Sequence, residues 1–187
     1  MTTTPLAVPP QQTADRSNVY IRAAFNYIDA INEAVSLPQH NPTRLRDCMS
    51  AHSVVEMAPA SMIPDGKETA LATAEDQIGF LAQMRSLVKE SNVQINDYIL
   101  APGPRVVLQA KGNGTSHSGQ AYTNDYVFFL SFVDVDSAAR HDLTDFERQG
   151  GVEDRAGLPK VTFTREYVDS AFLKGYIDQE TRNLQGK

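Results

Sequence analysis

The sequence predicts an α+β fold, with helices in its first half and an antiparallel sheet in its second. Three observations carry this reading. Apolar residues recur at three- and four-residue spacing over residues 17–37 and again over 69–88. Beyond residue 92 the pattern changes to alternation, in segments rich in β-branched and aromatic side chains. Helices grouped before a run of strands, rather than interleaved with them, favour antiparallel pairing.

The elements follow in order. Residues 1–16 are rich in Thr, Pro and Gln and lack the basic and apolar regions of a signal peptide, so a disordered tail is expected. The first helix, 17–37, buries Tyr20, Ile21, Ala24, Phe25, Ile28, Ile31, Ala34 and Val35, with Ser17 as its N-cap. After a connector at 38–42, Thr43 caps a short second helix running through Met49. Residues 53–57 read as a strand, and Pro59, Pro64 and Asp65–Gly66 make 58–66 a loop. The third helix, 69–88, buries Leu71, Ile78, Leu81, Met84, Leu87 and Val88. Strands at 93–100, 105–110 and 121–133 are separated by Pro102–Gly103–Pro104 and by a polar turn at 112–119. Residues 134–158 are charged and weakly periodic, and are expected to be an insertion between the last two strands. A final strand at 161–168 leads to a helix over 171–184, capped by Asp169 or Ser170. A single domain over 17–184 is the simplest organisation.

Composition narrows the function. The net charge is −6, from 17 basic and 23 acidic residues with no Lys/Arg block, so no nucleic-acid partner is expected. No apolar run is long enough to span a bilayer, which argues against a membrane partner. The single cysteine, Cys48, precludes an internal disulfide and fits a reducing, cytoplasmic setting. His40, His52, His117 and His141 have no partners at metal-ligand spacing, so no metal is expected. Gly112-x-Gly114 precedes a strand rather than a helix, which removes the phosphate-cradling reading. No cofactor is expected.

Two strands carry polar groups where a core should be. Tyr122, Asn124, Tyr126, Phe128, Leu130 and Phe132 share one face of their strand, and Thr164, Glu166 and Val168 share a face of theirs. A carboxylate on the inner face of a sheet loses hydration, and its pKa rises toward neutrality, which suits general acid/base work. The competing reading of Glu166 is an ion pair with Arg165, Arg44 or Arg46, or simple exposure. Tyr122 and Tyr126 could polarise a carbonyl or imine and cradle a polycyclic ligand, or could be ordinary sheet packing. Asn124, between them, orients a ligand or bonds a neighbouring strand.

The order of elements resembles the nuclear transport factor 2-like superfamily, which includes SnoaL-like cyclases and ketosteroid isomerases. That resemblance covers about residues 17–184 and implies a cone, a cystatin-like α+β roll in which a curved antiparallel sheet wraps the N-terminal helices around a pocket. Tyr27-Ile-Asp-Ala-Ile-Asn32 is similar to the ketosteroid isomerase segment whose tyrosine hydrogen-bonds the developing enolate. The general base of that family falls at Met57, and its second oxyanion donor falls near Phe128, so steroid isomerisation by that mechanism is not expected. Glu56, next to Met57, points to the opposite strand face.

A closer resemblance is to fungal SnoaL-like isomerases of alkaloid and meroterpenoid biosynthesis, including the semipinacolase type. That type uses two tyrosines four residues apart, a later glutamate and an arginine after the first helix. Tyr122, Tyr126 and Glu166 match if the 134–158 insertion is looped out, and Arg44 and Arg46 are the arginine candidates. The resemblance implies a homodimer and a small hydrophobic substrate. Catalysis is expected from Glu166, Tyr126, Tyr122 and one of the two arginines, as a rearrangement or cyclisation. Tyr27, Asn124, Phe128, Met57, Thr164, Val168 and His117 are expected to line the substrate site. For Tyr27 the alternative is core packing, for the arginines solvent, and for His117 an exposed turn. A non-catalytic binding or dimerisation module is the alternative function, with dehydration or epoxide hydrolysis third.

Overall fold

The computed structural model describes residues 18–36, 42–62, 71–135 and 157–185. The expected tail, the Ser17 cap and all but the ends of the 134–158 insertion lie outside these residues. Helix α1 (Val19–Ser36) is followed by α2 (Thr43–Cys48), β1 (Met49–Ala58), a short 3₁₀ turn and β2 (Leu71–Thr73). Then come α3 (Ala74–Leu87), β3 (Val88–Ala101), β4 (Arg105–Ser116), β5 (Ala121–Phe132), β6 (Val161–Val168) and α4 (Ser170–Gln185).

The strands form one curled sheet in the order β2-β1-β6-β5-β4-β3. All pairings are antiparallel except β1 with β6, so the sheet is mixed. That parallel pair brings chain-distant Met57 and Glu166 into register. Register shifts in β1, β3 and β5 bend the strands, as bulges do. One such site explains a glycine: a Cβ on Gly114 would lie 2.2 Å from the Glu90 backbone oxygen, so no larger residue fits between β3 and β4 there.

The inner face of the sheet packs on α1. Ala24, Tyr27, Ile28 and Ala34 are essentially inaccessible, and they meet Val106, Leu108, Phe128 and Leu130 from the sheet. Each large apolar side chain buried this way contributes roughly 1.5–3 kcal/mol. Asn32 ties α1 to the edge strand: its amide donates to the Val93 carbonyl at 2.9 Å and accepts from the Val93 N–H at 2.6 Å. Backbone groups on a sheet edge that would otherwise be open are thereby satisfied.

Local signals account for the element ends. Asn18 accepts from the Tyr20 and Ile21 amides and caps α1. Thr43 is inside α2, whose N-cap is Pro42 without a side-chain cap, contrary to the expected role. Helix α3 begins at Ala74, five residues later than predicted, because Thr73 and Asp76 form a reciprocal capping box. Leu71 consequently belongs to β2. Val88, assigned to the helix by periodicity, opens β3. The glycine-containing segment 112–116, predicted as turn, continues β4, and the chain reverses only at 117–120. At the C-terminus, Asp169 caps α4 by accepting from the Phe172 amide at 3.0 Å. Helix α4 is docked through buried Glu180, which accepts from Ser118 Oγ at 2.8 Å.

Candidate active site

Between α1, α3 and the inner face of the sheet lies a cavity of about 330 Å³. Its wall is mainly apolar, and Glu166, Tyr122, Tyr126, Phe128 and Met57 all reach it. Register puts them together: Glu166 stands opposite Phe128 on one side and Met57 on the other. Tyr126 faces Val168, two residues along β6, which makes it the diagonal neighbour of Glu166, about 7–8 Å away.

Burial pushes the Glu166 carboxyl up from the usual carboxylate range to about 7. The cause is desolvation, since a carboxylate among Met57, Phe128 and other apolar groups lacks the water that favours its charge. The outward-facing neighbours are paired with each other instead: Arg165 donates to Glu56 at 2.8 Å on the opposite face. Period-2 geometry thus separates a structural ion pair from a cavity carboxylate, one residue away, that has no ion-pair partner among the described residues.

The strand rise alone would separate the Cα atoms of Tyr122 and Tyr126 by about 13 Å, yet their hydroxyls hydrogen-bond each other. The rings converge above Gly112, which pairs with the intervening Asn124. A Cβ on Gly112 would sit 2.7 Å from Tyr126 Cε2 and 3.5 Å from Tyr122 Cε1. A glycine is therefore what makes room for the pair. Tyr126 stacks on Phe128 with centroids 5.5 Å apart, and Tyr122 is held edge-on by Tyr176 of α4 at 5.0 Å. Burial raises both phenol pKa values, with the Tyr122 and Glu166 charges raising that of Tyr126 further. Both phenols stay neutral, so one hydroxyl proton bridges the pair and the other is free for an acceptor in the cavity.

Other expected residues are positioned differently. Arg44 is turned to α1, hydrogen-bonded to Asn26 at 2.8 Å and ion-paired with Glu33. Arg46 makes a two-pronged bond to Glu75 at 2.7 and 2.8 Å in solvent. Neither reaches the cavity wall, because α2 lies outside α1 and each guanidinium finds a carboxylate there first. His117 is exposed in the β4–β5 turn, its Nε2 3.4 Å from the Arg85 carbonyl, rather than on the cavity wall. Asn124 turns toward β6, donating to the Asp169 carbonyl at 3.4 Å and accepting from its N–H at 3.1 Å. Val168 is core. Tyr27 and Thr164 lie behind the wall, where Thr164 Oγ1 is 3.4 Å from the Tyr27 hydroxyl.

Gln77 was not anticipated. It is buried, lies on the cavity wall, and bonds to Tyr27. The sign was present in the sequence: Gln77 precedes Leu81 by four residues and Met84 by seven, so a polar group occupies the buried stripe of α3. Among the described residues no group of three or more His, Cys, Asp or Glu could hold a metal ion. No helix among them is long and apolar enough to cross a membrane.

No protein-family model matches the sequence, and no curated protein matches it either. Solved structures do match in fold. BvnE pinacolase from Penicillium brevicompactum is 15% identical, with 88% of this chain covering 92% of that one at a TM-score of 0.61. PrhC from Penicillium brasilianum is 10% identical, with coverage of 90% and 92% and a TM-score of 0.63. An NTF2-like protein of unknown function from Burkholderia pseudomallei is 13% identical, with coverage of 85% and 97% and a TM-score of 0.57. The chain has the fold of these proteins, the nuclear transport factor 2-like fold.

Proposed function

We propose that this protein is a cofactor-independent isomerase or cyclase of natural-product metabolism. In this reading it moves a proton within a hydrophobic, polycyclic intermediate during a semipinacol-type rearrangement or a cyclisation. The observation that carries the reading is Glu166: a carboxyl with a pKa near 7 on an apolar cavity wall, beside two hydrogen-bonded tyrosines. A group half-ionised near neutral pH takes and returns a proton with little mismatch. The neutral tyrosine pair offers one free O–H to a developing oxyanion in a site of low dielectric. Positive charge from Arg44 or Arg46 has no part in this scheme, since both are committed to other carboxylates. The fold shared with BvnE pinacolase supports the same class of chemistry.

The outer sheet face supports a homodimer. Phe129 and Tyr167 are exposed there with ring centroids 5.8 Å apart, and Ile99 and Val107 continue the row. Exposed apolar rows of this kind mark association surfaces.

The test is metabolite profiling of the source strain carrying Glu166→Gln beside a full deletion. Loss of the same product and accumulation of the same precursor in both supports an enzyme centred on Glu166. A changed deletion profile with an unchanged Glu166→Gln profile removes the carboxylate from the mechanism. No change in either strain favours a non-catalytic binding module.

A further inference from the structure

Gln77 has a single side-chain partner among the described residues, the Tyr27 hydroxyl, and that hydroxyl reaches both ends of the amide. It lies 3.1 Å from Oε1 and 2.7 Å from Nε2. Behind it, Thr164 Oγ1 is 3.4 Å away, long for an O–H···O bond and therefore weak. Burial raises the Tyr27 pKa, so the phenol keeps its proton and remains both donor and acceptor.

Two proton arrangements satisfy these three groups without moving a heavy atom. In the first, Thr164 donates to Tyr27 and Tyr27 donates to Gln77 Oε1, which leaves the Nε2 hydrogens for an acceptor in the cavity. In the second, Gln77 Nε2 donates to Tyr27 and Tyr27 turns its proton to Thr164, which leaves Oε1 to accept from a donor in the cavity. We propose that Gln77 is the substrate-binding residue that holds a reacting oxygen in either of two forms, carbonyl or hydroxyl, with Tyr27 and Thr164 as positioning residues that reverse its hydrogen-bonding sense. The ligand class follows: a hydrophobic molecule with one oxygen that is a hydroxyl on one side of the isomerisation and a carbonyl on the other. This rests on the isomerase reading above.

The test uses the precursor accumulated by the deletion strain and the product of the wild-type protein, with purified variants checked by thermal melting. Gln77→Met, which keeps the side-chain volume, is expected to raise KM at least 10-fold, since it removes a buried hydrogen bond to that oxygen. Thr164→Val removes the acceptor needed for the second arrangement. It should weaken whichever of precursor or product carries the hydroxyl by about 5- to 10-fold and leave the carbonyl form unchanged. Tyr27→Phe should weaken both, and it serves in place of Gln77→Met if that variant does not fold. Wild-type KM in Gln77→Met and Tyr27→Phe, or equal weakening of both forms by Thr164→Val, overturns the proposal, while an inactive Glu166→Gln in the same assay leaves the isomerase reading standing. If the deletion strain accumulates no precursor, both fall together.

Discussion

Consider Glu166→Gln followed as a function of pH. In the folded protein the carboxyl is raised from 4.5 to about 7 by burial. Between these values the folded state binds the proton and the unfolded state has released it, so stability falls as pH rises through this window. Below about pH 4.5 both states are protonated and the penalty is absent. Above about pH 7 the folded protein holds a desolvated charge, and the penalty is complete. At about 1.4 kcal/mol for each tenfold in proton affinity, it amounts to about 3 kcal/mol. Glu166 is half-buried, so water in the cavity trims this toward about 2 kcal/mol.

Glutamine mimics the protonated acid and does not titrate. The variant should match the wild type at about pH 4 and melt higher at about pH 8. At 2–4 °C per kcal/mol for a chain of this size, the gain is roughly 4–12 °C. Every other titrating group cancels in the difference between the two melting curves. An equal difference at both pH values, or a variant less stable at the higher pH, would refute the desolvated carboxylate and with it the proton-transfer role. A substitution that stabilises the fold while abolishing product is the signature of a residue kept for its chemistry.

Further predictions concern the surrounding groups. The rate of product formation should titrate with a midpoint near pH 7 and lose that limb in Glu166→Gln; a flat wild-type profile from about pH 5.5 to 8.5 would exclude Glu166 as the proton carrier. Tyr122→Phe and Tyr126→Phe should each slow turnover by about 10-fold or more. The double variant should be little worse than the poorer single one, because the hydroxyls act as one unit, and additive losses would contradict this. Gly112→Ala should displace the Tyr126 ring, destabilising by about 1–3 kcal/mol with a loss of turnover, measurable by melting and product assay. Phe129→Glu should convert a dimer to monomer in light scattering and leave the melting temperature of the monomer within a few degrees.

Much of this site could be read from residue order. Period 2 grouped Tyr122, Tyr126 and Phe128 on one face of their strand and Glu166 with Thr164 and Val168 on a face of theirs, and the structure sets Tyr122, Tyr126, Phe128 and Glu166 on one cavity wall. Gln77 left a mark in its helical stripe that composition and strand patterns do not highlight. Gly112 looked like a turn residue because glycine and serine cluster around it, although its role is to leave space beneath two rings on the next strand. Arg44 and Arg46 were plausible by spacing alone. Their partners, Glu33 and Glu75, lie on different helices, and no local pattern reports which carboxylate a flexible guanidinium will meet.

The sequence by itself determined the α+β class, which residues share a strand face and a cap at Asp169 or Ser170, because these depend on periodicity and on hydrogen bonds within a few residues; the Thr73 cap that starts α3 escaped it. It also grouped Glu166 with Thr164 and Val168 on one face, since alternation admits only two sides, but left open whether that carboxylate met a cavity, an arginine or solvent. Tertiary structure alone decided what surrounds each of these groups. The parallel β1–β6 pairing set Met57 beside Glu166, α3 delivered Gln77 to Tyr27, and a missing Cβ in β4 let two tyrosines in β5 touch. Desolvation and contact depend on neighbours far along the chain, and those neighbours are chosen only when the sheet closes around the helices.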